Sequence, residues 1–571
     1  MEQPNYLDYC TDDIEELYAK LQDSVLKTVV KRIIKYGEIT PSAWHDIKIL
    51  QESGVVYDDV LDIISQFTQL SQSAVQEMFE TAKVESIKYD NEIYKAAGMK
   101  PLKENGSPAV NQIVKGAISK TNGNLKNLTM TTAGAAQDKF IDACSIAEME
   151  INTGAYDVNT AIRHAVEYAI QDGANVYFYN DEEDGTIVTA KRNIVSAVRT
   201  AVLTGVSQTT GEISLENAKK MGTDLMELSA HTGARPSHSV WQGKIVCFSR
   251  RKTKYLTLAD IGYGEIDGFK GINCRHYWFP FIEGVSTRTY TDEQLEEMNN
   301  ATVNFNGNEI PLYKATQKQR AMERQIRFER SQLVSLNESI EIAKSLGNNE
   351  LANDLQINFD NQAVKLKRHE AMYKDYCNQT GLPVLSERLQ YPAFNRSVSQ
   401  KAYNAANRNY KEWSKSIGAE GFADSLSGYY KKKYGNPRAY EFLQGYNKCI
   451  KTGEISPLVS LDYFMEMEYN ISRQLYGVKT IDGFTINDCT PHFVGRVIGQ
   501  VKDSHSGMRQ GTPIADIVEA LTNGTVTKIR KGVPTKNRNG EFLDERHTYT
   551  GNKAKVTISV TEGKLIQANP R

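Results

Sequence analysis

Between His231 and Phe281 the chain gives up regular periodicity. It reads HTGARPSHSVWQGK from His231 to Lys244, then GYGEIDGFKGINCRHYWFPF from Gly262 to Phe281. Glycines and aromatics stand where helices would space apolar residues by three or four and strands would alternate them. Such a segment must close itself with tight turns and pin them with polar side chains, because backbone groups outside a ladder still need partners. Gly233, Gly243, Gly264, Gly268 and Gly271 permit backbone conformations closed to other residues. Trp241, Tyr277, Trp278 and Phe281 supply bulk to fill the space between. LMELSA and KIVCFS read as short strands, and CRHYWFPF has β preference.

The same segment gathers His231, His238, Cys274 and His276 from a chain with nine histidines and seven cysteines. Three chemistries use such a set. By ligand type the four side chains suit zinc, although His-x6-His and Cys-x-His are looser than common finger spacings. Cys274 with His276 or His231 has the makings of a nucleophile and base, although no third, orienting group is evident. As scaffold, the histidines with Arg235, Asp267 and Asn273 would hydrogen-bond loop backbone. The glycine and aromatic content favours the scaffold.

Around this segment the chain is mostly helical. In residues 14–34 the apolar positions Ile14, Leu17, Leu21, Val25, Leu26, Val29, Val30, Ile33 and Ile34 recur at helical spacing. Thr40-Pro41-Ser42 opens a second helix, and 71–98 is a third. Residues 100–185 show several short helical patterns with glycine-rich breaks. Residues 189–206 form a helix that continues to about Met221 and puts Arg192 and Arg199 on one face. Thr291 and Gln294 have capping-box spacing. Two long charged helices separated by SLGNN predict an antiparallel hairpin or coiled coil.

With 571 residues, several domains are expected. The predicted class is multidomain and mainly α with α+β parts. The segments are a helical docking region at 1–130, a central α+β core at 131–288 and a charged helical hairpin at 289–383. A helical spacer at 384–478 and a small α+β domain at 479–571 follow. Basic and acidic residues nearly cancel, for a net charge of −2, which argues against bulk attraction to nucleic acid or membrane. No apolar run approaches the ~20 residues of a membrane span, and the acidic first residues predict no secretory leader. The scattered cysteines lack a CxxC pair and predict free thiols. No cofactor is expected.

The last ninety or so residues form their own unit. TPHFVGRVIGQV is a short helix carrying His492 and Arg496 four apart, on one face. TPIADIVEALTNG is a second, and TVTKIRKG, RHTYTG, KAKVTISVT and KLIQANP are strands. A metal-independent ribonuclease needs a proton donor and acceptor, often His, and a cation against the charged transition state. His492, Arg496, His547 and Thr548 are the candidates. A small DNA- or capsid-binding domain with basic strands is the alternative.

The run DLMELSAHTGARPSHSVWQGK followed by GYGEIDGFKGINCRHYWFPFIEGVS, with AVRTAVLTGVSQ upstream, resembles the signature of the phage minor capsid protein 2 family. That family belongs to the Mu F-like head-morphogenesis proteins. The resemblance spans about residues 1–370. On its signature fall His231, Gly233, Arg235, Pro236, His238, Trp241, Gly243, Gly268, Asn273, Cys274, Arg275, His276 and Pro280. It implies a structural protein of the tailed-phage virion, in the head near the portal vertex and made in the host cytoplasm. Implied partners are portal protein, major capsid protein and phage DNA during packaging or ejection. The tail resembles, more weakly, the toxin-like nuclease domains of the barnase, EndoU, colicin and RelE-like group. That likeness implies a virion-packaged ribonuclease acting on host RNA, without a membrane anchor.

Overall fold

The computed structural model describes residues 11–36, 55–171, 175–181, 187–249, 254–503, 507–537 and 540–571. Contacts divide the chain into two units, residues 1–369 with 376–402 and residues 370–375 with 403–571. The protein is mainly helical with small sheets. The helix expected from Thr40 falls outside the described residues.

The first unit is built on long helices. α1 (Asp12–Tyr36) buries Ile14, Leu21, Val25, Val29 and Ile33, the stripe read from its periodicity. α2 (Val55–Ala96) packs against it and against α3 (Pro108–Asn152). α3 corrects the expectation of short, broken helices in this region: it is one helix of 45 residues. Gly116, Gly123 and Gly134 lie inside it, each facing open space. A mid-helix glycine costs about 1 kcal/mol, and burial of Val114, Leu125, Leu128, Phe140 and Ala147 along one face outweighs it.

After α4 (Val158–Ile170), β1 (Asn175–Asp181) and β2 (Ile187–Asn193) pair as an antiparallel hairpin. The helix expected from 189 therefore begins later, as α5 (Ile194–Met221). The Asn193 side chain caps it by accepting from Val195 N–H, and Gly222 ends it at φ 77°. Arg192 lies on β2, so it shares no helical face with Arg199, which pairs instead with Glu15 of α1. α5 packs on α2 and α3, and its Ser214 and Asn217 donate to the buried Asp90 carboxylate of α2 at 3.2 and 2.8 Å.

The three strands read from the aperiodic segment are present. β3 (Leu225–Leu228) lies between β4 (Ile245–Cys247) and β5 (Trp278–Phe281), antiparallel to both. The one-turn helix α6 (Pro236–Ser239) interrupts the β3–β4 connection. Met226, Leu228, Trp241, Val246, Phe269, Cys274 and Trp278 form one core, and the Trp278 indole donates to the Gly211 carbonyl of α5 at 3.0 Å. α7 (Asp292–Asn299) starts with the expected capping box of Thr291 and Gln294. Past the hairpin β6 (Thr302–Phe305) and β7 (Asn308–Pro311), α8 (Leu312–Ser345) and α9 (Asn349–Thr380) run antiparallel. Gln362 meets Gln332 and Tyr376 meets the Ala315 carbonyl across that pair.

After α10 (Arg396–Ser416), the second unit contains α11 (Leu426–Gly435), α12 (Pro437–Lys451) and α13 (Leu461–Leu475). These helices join the C-terminal strands in one compact unit. Arg438 of α12 ties them together by binding Glu468 of α13 and Asp488 of β8 (Asp488–Cys489). α14 (Pro491–Ile498), the hairpin β9 (Gly499–Asp503) and β10 (Gly507–Gln510), and α15 (Ile514–Thr522) follow. Then come β11 (Thr525–Asn537), β12 (Gly540–Thr550), β13 (Ala554–Ser559) and β14 (Lys564–Pro570). The sheet order is β11-β12-β13-β14-β8, antiparallel except for the β14–β8 pair. Among the described residues no helix is long and apolar enough to cross a membrane.

Candidate functional site

Turn chemistry delivers the central side chains. β3 leads into His231, Gly233 makes a left-handed turn at φ 73°, and Pro236 opens α6, on which His238 sits. Gly243 turns the chain into β4 at φ 68°, where a Cβ would lie 2.4 Å from the Leu295 side chain. In the loop before β5 the backbone doubles back so closely that a Cβ on Gly268 would fall 1.9 Å from the Gly262 carbonyl oxygen. Arg235 staples this loop by donating to Asp267 Oδ1 at 3.2 Å and to the Ile272 carbonyl at 3.1 Å. Asn273 is left-handed at φ 56° and aims the extended run Cys274–His276 inward. Pro280 is tolerated because β5 is an edge strand.

The histidines and the cysteine meet in the interior. His238 Nδ1 lies 3.2 Å from His276 Nδ1, and Cys274 Sγ lies 3.8 Å from that same nitrogen. All three residues are buried. Their far ring nitrogens are also held: His238 Nε2 by the Asp267 carbonyl at 2.9 Å and His276 Nε2 by Gln242 Oε1 at 3.1 Å. Gln242 is oriented in turn, accepting from His231 N–H and donating to Asn299 Oδ1. Trp241 covers His238 at 4.5 Å between ring centroids. His231 stacks on His276 at 4.4 Å and 26° between planes, with its Nδ1 turned to its neighbour's carbonyl.

Burial sets the electrostatics. It pulls His238 down to about 4, against the Asp267 bond that favours the charged ring. It holds His276 well below the usual histidine range and pushes the Cys274 thiol up, the latter opposed by the Lys270 charge. Lys270 is fully buried against Gly211 of α5, and burial lowers it to about 8.

Three readings of the segment now separate. The scaffold reading matches Arg235 and Gly243, whose contacts close the loops. A nucleophilic Cys274 is disfavoured, since its thiol is buried and held neutral. The four-ligand zinc set loses His231, because a ring stacked face-on to His276 cannot aim a nitrogen at the same point. His238, Cys274 and His276 retain metal-ligand geometry, with ligand atoms within 4.8 Å of one another. Gln242, which orients His276, carried no sequence signal beyond its place in the run.

Beside this cluster lies a cavity of about 350 Å³. His231, His238 and His276 touch it, together with Arg199 and Arg275 and residues of α8. Seven arginines line it against one lining carboxylate, Glu323.

The tail candidates are held by different partners. His492 Nδ1 and Arg496 Nε both bind Glu454 Oε1, at 2.7 and 2.8 Å. His547 is clamped between Asp482 at 2.8 Å and Glu545 at 2.9 Å, and Tyr549 donates to Asp482 at 2.7 Å. Thr548 meets Thr557 at 3.0 Å. His547 and Thr548 are successive residues of β12, so they point to opposite faces of the sheet. The four therefore cannot form one ribonuclease centre. Glu454 and Asp482, the carboxylates that hold the two histidines, were not foreseen from the sequence. His505 lies outside the described residues.

The family described as phage minor capsid protein 2 matches residues 3–377. A structural protein of Lactococcus phage LL-H is 31% identical over 144 residues, 24% of this chain and 35% of the relative. A structural protein of Lactococcus phage mv4 is 38% identical over 80 residues, 14% of this chain and 54% of the relative. The chain thus covers about a third to a half of the length of these relatives. No solved structure matches.

Proposed function

The chain belongs to the phage minor capsid protein 2 family, and from that premise we propose that it sits in the phage head at the portal vertex and works by binding during head assembly, genome packaging or delivery. The observation that carries this reading is the family match across the first unit, signature segment included. The buried signature residues His238, Trp241, Cys274 and His276, packed on one another, support it as well. Trp241 and Cys274 belong to the core that closes this segment. The long helices of the first unit supply surfaces for portal or capsid protein, and the second unit is read as an appended binding module.

The test is to purify phage particles, quantify the protein by mass spectrometry and pull down portal protein with tagged chain from infected cells. Presence in low copy with portal enrichment supports the proposal. Absence from particles sinks it. The rival, a virion-packaged ribonuclease, predicts RNA cleavage in EDTA by full-length protein that is lost on His492→Ala with His547→Ala. Each histidine is held by its own carboxylates, His492 by Glu454 and His547 by Asp482 and Glu545, which leads us to expect intact RNA.

A further inference from the structure

We propose that His238, Cys274 and His276 bind a metal ion of the zinc class, with a fourth position left for a ligand from solution. The Asp267 carbonyl can only accept a hydrogen bond, so His238 Nε2 carries its ring's proton. Gln242 is fixed with its oxygen toward His276 by the bonds it makes to His231 N–H and Asn299, so His276 Nε2 also carries the proton. Each neutral ring then presents a bare Nδ1 lone pair to the other at 3.2 Å, with Cys274 Sγ 3.8 Å from one of them. Two bare lone pairs at that distance repel. A cation between them removes the conflict.

The spacing fits. A tetrahedral ion about 2.0–2.1 Å from nitrogen and about 2.3 Å from sulfur separates two nitrogens by roughly 3.3 Å and nitrogen from sulfur by roughly 3.6 Å. Carbonyl oxygens behind both rings fix which nitrogen faces the ion, as they do for metal-bound histidines generally. One thiolate and two imidazoles are a donor set for zinc rather than magnesium or calcium. His231, stacked on His276, is left out of the set.

The test uses full-length protein expressed with zinc in the medium. Metal is measured by plasma mass spectrometry, and cobalt(II) is then exchanged in and its spectrum recorded. The proposal expects one ion per chain, tetrahedral cobalt bands and a thiolate-to-cobalt charge-transfer band. Cys274→Ser should abolish that band, and His231→Ala should keep the metal. If Cys274→Ser does not fold, the wild-type charge-transfer band decides alone. Folded wild-type protein that takes up neither metal overturns the proposal, as does a His231→Ala variant that loses it.

A different observation carries a second inference: the arginine-lined cavity binds a phosphate-rich anion of nucleotide size. Arg199 and Arg327 share Glu15, Arg388 approaches Glu323 at 4.0 Å, and Arg235 is spent on Asp267. Among the described residues Arg320 and Arg324 make no hydrogen bond or ion pair. Burial first, then the charges of Arg275 and Arg388, lowers Arg320 to about 10, with Glu323 opposing them. Guanidinium forks match phosphate oxygens in pairs. A cavity of about 350 Å³ takes a nucleotide or short polyphosphate and excludes a duplex.

Calorimetric titration of full-length protein with inorganic tripolyphosphate, a deoxynucleoside triphosphate and a single-stranded oligonucleotide distinguishes the sources. Saturable, salt-weakened binding of at least one is expected, together with a rise in melting temperature. Arg320→Met should melt no lower than wild type without anion, because it relieves repulsion, and should lose the anion-induced rise. If it fails to fold, Arg324→Met takes its place. Binding by none of the three, or undiminished binding by the folded variant, overturns the inference.

Discussion

Gly268→Ala tests the central loop most directly. The added Cβ would lie 1.9 Å from the Gly262 carbonyl oxygen, whereas ordinary contact begins at 3.4 Å, so the two backbones must part by 3.4 − 1.9 = 1.5 Å. The turn is closed by Gly264 N–H to Phe269 O at 2.8 Å, Gly268 N–H to Glu265 O at 3.2 Å and Phe269 N–H to Ile261 O at 2.9 Å. Losing one or two such bonds costs about 1 kcal/mol each, and overpacking adds about 1–3 kcal/mol. Reduced unfolded-state entropy returns about 0.4–1 kcal/mol. The net is a loss of about 1–4.5 kcal/mol, or roughly 1–5 °C in Tm for a unit of this size. Gly264→Ala is the control, since its Cβ meets nothing within 4 Å at φ 83° and costs only the left-handed penalty of about 1–2 kcal/mol. Scanning calorimetry of the full-length protein reads both. If Gly268→Ala melts with or above Gly264→Ala, the close approach does not constrain the fold and the reasoning fails.

Two pH dependences run in opposite directions. Burial raises Asp90 from 3.8 to about 7 against its bonds from Asn217 and Ser214. The folded state therefore holds this proton more tightly, and first-unit stability falls as pH rises between those values. Asp90→Asn should remove that slope and melt higher than wild type at alkaline pH. His547 is pulled down by burial, but its bonds to Glu545 and Asp482 and their charges outweigh this and raise it above 6.5. Its contribution is full below 6.5 and is lost as pH rises through the raised value, so the second unit should weaken on going alkaline. Asp482→Asn should flatten that loss in a pH series of thermal melts. Trp278→Ala, which empties a buried site and orphans the Gly211 carbonyl, should cost about 3–5 kcal/mol in urea unfolding. A loss under about 1 kcal/mol would mean the core collapses to fill the gap.

Helix content, the α8–α9 hairpin, the Thr291 cap, the β3, β4 and β5 strands and the four C-terminal strands were legible in the sequence. Each depends on interactions within a few residues, and periodicity and cap chemistry report those directly. The unbroken α3 was not legible. Its glycines lower local propensity, and only burial against α2 and α5 supplies the compensating free energy. Local pattern also placed Arg192 and Arg199 on one helix, but pairing with β1 claimed Arg192 for a strand. At the central site the sequence determined which residues gather, because glycine turns and aromatic bulk force the segment to fold on itself. Only the tertiary structure decided their roles. Ring orientation depends on acceptors brought from elsewhere, Gln242 for His276 and Asp267 O for His238, and the stacking of His231 on His276 leaves it outside the cluster. In the tail, the i, i+4 spacing put His492 beside Arg496. Which carboxylates hold the histidines, Glu454 for His492 and Asp482 with Glu545 for His547, is a property of tertiary packing, which no spacing along the chain encodes.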